Sequence, residues 1–95
     1  MADDTEITEI SDNKVAVITG ASSGIGHATA VEFASNGYNV VLVARRQKVL
    51  RQVADECEQY GVRALHVTAD TTAENDVQKV ADAALVAFGH IDVWV

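Results

Sequence analysis

One junction limits what this chain can fold into: the apolar run Val15-Ala16-Val17-Ile18 passes directly into Thr19-Gly20-Ala21-Ser22-Ser23-Gly24-Ile25-Gly26, and after it the apolar spacing becomes helical. A strand, a glycine turn and a helix start follow one another with no linker. The first N–H groups of a helix lack partners inside it, and the helix dipole places partial positive charge behind them. A phosphate suits such a position. Gly20 is free to adopt a backbone conformation closed to other residues, Gly24 lets the main chain approach a pyrophosphate, and Gly26 lets the helix lie close to its strand. Ser22 and Ser23 have hydroxyls that can donate to phosphate, yet small polar residues suit any turn, and both readings stay open. The competing reading of the whole stretch is a turn that needs glycine for packing alone.

The rest of the chain alternates. Residues 14 to 19 read as a parallel strand covered on both faces, because their apolar character is continuous. Gly24 to about Asn36 places Gly26, Ala30, Phe33 and Ala34 on one helical face, with Gly37 as the stop. Asn39 to Ala44 is a second buried strand, and it delivers Arg45 and Arg46 at its end. A helix from Gln47 to about Tyr60 buries Leu50, Val53, Ala54 and Cys57, and Gly61 closes it. Residues 63 to 68 form a weaker strand ending in Ala69-Asp70. Thr71 or Thr72 is placed to cap a third helix that buries Val77, Val80, Ala81, Ala84 and Phe88 and stops at Gly89. Ile91 to Val95 opens a fourth strand, and the sequence stops inside that apolar run. The pattern predicts an α/β chain, βαβαβαβ: a Rossmann-like, doubly wound parallel sheet, truncated within its fourth strand. Right-handed crossovers give the strand order 3-2-1-4, with the first two helices on one face and the third on the other.

Composition narrows the partners. The formal net charge of −7 disfavours nucleic acid and anionic membrane surfaces, both of which reward basic residues. Residues 1 to 13 hold Asp3, Asp4, Glu6, Glu9 and Asp12 and read as an acidic, solvated tail, and residues 14 to 95 as one continuous unit. The tail has no basic region followed by an apolar one, so it is no secretory signal, and a cytoplasmic location is expected. The single cysteine, Cys57, falls on an apolar helical face and reads as core; no metal cluster is expected. His27, without ligand partners nearby in sequence, reads as a surface residue, and Trp94 as core.

The spacing Thr-Gly-x-x-x-Gly-x-Gly resembles the cofactor loop of the short-chain dehydrogenase/reductase family, and differs from the Gly-x-Gly-x-x-Gly of other dinucleotide folds. A phosphate loop of the nucleotide hydrolases is ruled out, because Ile25-Gly26-His27 stands where Gly-Lys-Ser/Thr is required. The family resemblance covers nearly all of residues 13 to 95 and implies a cofactor-binding set of Gly20, Ser22, Ser23, Gly24, Ile25, Gly26, Arg45, Arg46, Asp70 and Thr71. In dinucleotide sites an acid past the glycine loop binds ribose hydroxyls, whereas an arginine accommodates a 2′-phosphate. Arg45 and Arg46 therefore favour NADP(H), with NAD(H) as the alternative, and Ser23 stands where some NADP-using relatives carry a basic residue. By the same resemblance Asp70 would bind the adenine amino group, while Asp92 reads as a structural hydrogen-bonder.

The resemblance implies an oxidoreductase that passes a hydride between nicotinamide and a small alcohol/carbonyl pair, with a dimeric or tetrameric parent. That family's serine and Tyr-x-x-x-Lys pair, its proton relay, are not found in these residues: Tyr38 is followed four positions on by Leu42, and Tyr60 by Ala64. No catalytic residue is therefore assigned, and the chain alone is expected to be inactive, poorly stable and prone to associate through Val93 to Val95. The rival reading is a dinucleotide-binding or sensing module without catalysis. A methyltransferase fits less well, because its site wants an acid where Arg45 stands.

Overall fold

The apolar runs between the glycines become the middle of a sheet. The computed structural model describes residues 13–95, so the expected acidic tail falls outside the described residues except for Asn13. The elements are β1 (Val15–Thr19), α1 (Gly24–Ser35), β2 (Asn39–Ala44), α2 (Gln47–Glu58), β3 (Ala64–Thr68), α3 (Glu74–Phe88) and β4 (Val93–Trp94). The four strands run parallel in the order β3-β2-β1-β4. Val15 to Thr19 pair with Asn39 to Val43, and Val40 to Ala44 with Ala64 to Thr68. Pairing of the fourth strand reaches past Trp94, since the Val95 N–H donates to the Val17 carbonyl at 2.8 Å and Thr19 N–H to that of Val95 at 3.2 Å. No helix among the described residues is long and apolar enough to cross a membrane.

Alternation along each strand splits the core in two. On one face Ala16, Ile18, Val40 and Leu42 meet Ala30 and Ala34 of α1 and Leu50, Val53, Ala54 and Cys57 of α2. On the other, Val15, Val17, Val41, Val43 and Val67 meet Val80 and Ala84 of α3. That is the arrangement right-handed crossovers require. Each fully buried valine or leucine contributes ~1.5–3 kcal/mol, so these inner strands dominate stability. Cys57 is buried, and burial, with Glu56 and Glu58 adding to it, pushes its thiol up to about 11, as suits an inert core residue.

Trp94 departs from expectation: it is 41% exposed and not core. Val93 packs toward the α1–α2 face, so its neighbour points to the opposite one, where the helix α3 packs over β1 to β3. Leu85 and Val86, on the same helix, are exposed too. The third helix also starts later than expected, at Glu74, with Ala73 at the cap position and no side-chain cap hydrogen bond. Asp92 does act structurally, accepting the Val15 N–H at 2.8 Å and lying 3.0 Å from His90 Nε2. His27 lies on the surface, 2.7 Å from Glu56 Oε1, and bridges α1 to α2.

Candidate functional site

The strand ends of β1, β2 and β3 are locked side by side by main-chain bonds. Ala21 N–H donates to the Val43 carbonyl at 3.0 Å, and Ala69 N–H to that of Ala44 at 3.0 Å. Parallel neighbours share one C-terminal edge, so the glycine turn, Arg45 and Asp70 open on the same side, where ligands bind in such sheets. A cleft of about 280 Å³ lies between them, lined by Gly20, Ser22, Val43, Ala44, Arg45, Ala69, Asp70, Thr71 and Thr72.

Two glycines of the turn do different work. Gly26 is buried, and a Cβ there would collide with the Gly20 carbonyl, its carbon at 2.6 Å. Packing alone explains that glycine. A Cβ on Gly24 would meet no protein atom within 4 Å, so packing gives no reason for glycine at that place. Gly20 has a φ of 62°, the left-handed region that glycine enters without strain.

Ser23 is occupied by the fold. It caps α1, its Oγ accepting the Gly26 N–H at 3.1 Å while its hydroxyl donates to the Gly20 carbonyl at 2.8 Å. A serine directly before a helix start is itself the signal for that role. Among the described residues the N–H groups of Ser22, Gly24 and Ile25 donate no hydrogen bond, and Ile25 is 84% exposed. An anion above the turn fits these free donors. Arg45 makes no ion pair among the described residues, so its guanidinium is available to an anion.

Of the expected site residues, Gly20, Ser22, Arg45, Asp70 and Thr71 share the cleft. Arg46 is exposed at the start of α2 and does not line it. Ser23, Gly24, Ile25 and Gly26 form the adjacent turn and first helical turn. Thr72 was not among the expected residues, yet its hydroxyl donates to Asp70 Oδ1 at 2.6 Å and its N–H to the same oxygen at 3.0 Å. Those bonds, and more weakly the Arg45 charge, hold the Asp70 carboxyl below the usual carboxylate range, so it stays ionised. No group of side chains that could hold a metal ion occurs among the described residues.

The family description "short chain dehydrogenase" matches residues 14–95. This chain belongs to that family. Among relatives of this short-chain dehydrogenase chain, the uncharacterized oxidoreductase YxnA of Bacillus subtilis (strain 168) is 45% identical over 83 residues, which are 87% of this chain and 23% of that protein. The crystal structure of L-sorbose reductase from Gluconobacter frateurii complexed with NADPH and L-sorbose is 40% identical, with a TM-score of 0.83 over 90% of this chain and 34% of that one. A short-chain dehydrogenase/reductase from Burkholderia phymatum in complex with NAD is 40% identical, with a TM-score of 0.82 over 90% and 30%. The chain thus spans about a quarter to a third of the length of these relatives, which include a complex with each dinucleotide.

Proposed function

We propose that this chain is the dinucleotide-binding part of an NADP(H)-dependent oxidoreductase acting on a small alcohol/carbonyl pair. The observation that carries this reading is the cleft shared by Gly20, Arg45 and Asp70, with Arg45 in no ion pair among the described residues. Bound nicotinamide would supply or accept the hydride. The N–H groups of Ser22, Gly24 and Ile25, which donate no bond among the described residues, would hold the pyrophosphate, and the absent Cβ of Gly24 would leave room for it. Arg45 engages the 2′-phosphate with paired donors, and Arg46, just outside the cleft, adds charge. Asp70, with Thr71 beside it, would meet the adenine, and the Ser22 hydroxyl, which lines the same cleft, would donate to phosphate.

These residues bind and orient but move no proton to or from the substrate. The Tyr-x-x-x-Lys spacing is absent from the sequence, so the 95 residues alone would show no turnover above that of free NADPH. The test is a titration of the full-length protein with NADPH and NADH, followed by NADPH oxidation with a panel of carbonyl compounds. Tighter NADPH binding with turnover supports the reading. Binding without turnover on any carbonyl or alcohol points to the non-catalytic module, and equal binding of both cofactors removes the assigned preference.

A further inference from the structure

The turn after β3 carries more constraint than a connection needs. Asp76, in the first turn of α3, accepts the main-chain N–H of Asp70 at 2.8 Å. Ala73 N–H donates to the Asp70 carbonyl at 3.0 Å. Thr72 then takes the side chain, putting both its hydroxyl and its N–H on Asp70 Oδ1. The backbone and one carboxylate oxygen of Asp70 are thereby fixed, while among the described residues Oδ2 accepts no hydrogen bond. Asp70 and Thr72 both line the cleft, together with Arg45 from the end of β2.

We propose that Thr72 is a positioning residue that sets the cofactor's base specificity, by holding Asp70 so that Oδ2 accepts from the amino group of adenine. This rests on the dinucleotide reading above. An ionised carboxylate can only accept, so it favours the exocyclic amino donor of adenine and opposes the oxo acceptor that replaces it in hypoxanthine. Direction matters as much as charge, because a hydrogen bond weakens steeply as it bends. Without the Thr72 hydroxyl the carboxylate turns more freely, toward water or Arg45, and the preference between bases falls. NADPH and its hypoxanthine analogue carry the same phosphates, so any change in the phosphate contacts cancels in the ratio of their affinities.

The experiment measures dissociation constants for NADPH and its hypoxanthine analogue with the full-length protein, by calorimetry. Thr72→Val removes the hydroxyl and keeps the shape and the N–H. It should lower the preference for NADPH over the analogue by about fivefold to tenfold, mostly through weaker NADPH binding. Thr72→Ser restores the donor and should keep the preference within about twofold of the parent. Equal weakening of both dinucleotides by Thr72→Val, or an unchanged preference, overturns the proposal. Asp70→Asn should abolish the preference; if it does not, the base lies elsewhere and Thr72 has no such role, although the dinucleotide reading survives. Failure of the parent protein to bind either dinucleotide overturns that reading itself.

Discussion

The two outer rims of the cleft are made in opposite ways. After β1 the rim is main chain: Gly20 turns, Gly24 leaves space, Gly26 lets the backbone close, and the one side chain with a fixed role, Ser23, caps the helix. After β3 the rim is side chains: Asp70 lines the cleft, its carboxylate bonded by Thr72 and its N–H by Asp76. A rim of backbone donors recognises what all phosphates share. A rim of oriented side chains can tell one base, or one charge, from another. Selectivity is therefore expected to sit at the second and third strand ends, and shared affinity at the first.

Substitutions can break this contrast, and Gly26→Val should do the most damage. Its side chain has no space beside the Gly20 carbonyl, and such overpacking costs about 1–3 kcal/mol or more, so the full-length protein should melt earlier and lose both cofactors together. Gly24→Val should leave the melting curve within about 1 kcal/mol of the parent, since a helix start tolerates valine at least as well as glycine. It should nonetheless weaken NADPH and NADH alike by more than about 100-fold in a binding titration, through loss of charge-assisted bonds to the pyrophosphate. Retained affinity would show that the phosphates do not lie on this turn. Ser23→Ala should have the smallest effect, costing about 0.5–2 kcal/mol of stability through the lost cap and leaving the NADPH-to-NADH ratio unchanged. A changed ratio would mean that the hydroxyl reaches the cofactor.

The sheet was legible because it depends on continuity and period. Val15 to Ile18 and Val40 to Val43 are apolar without a break, which specifies strands covered on both faces, and the intervening helical faces follow from spacing. The glycine turn was legible because a missing Cβ is itself visible in a sequence. The Asp70 turn was only half legible. Asp70 could be placed at a strand end, but Thr72 reads equally as a helix cap, and only the fold shows its hydroxyl spent on Asp70 while α3 starts two residues later without a side-chain cap. Trp94 was misread for a related reason. Apolar character marks a residue that gains by burial, yet whether a helix covers its side of β4 depends on how far α3 extends across the sheet.

The most direct test of the central claim is a paired titration of the parent protein and Arg45→Ala with NADPH and NADH. One charge-assisted contact to the 2′-phosphate is worth roughly 1.5–3 kcal/mol, so Arg45→Ala should weaken NADPH binding by about 10- to 100-fold and barely change that of NADH. Equal losses for both cofactors, or none for either, would contradict the placement of the 2′-phosphate at the end of β2.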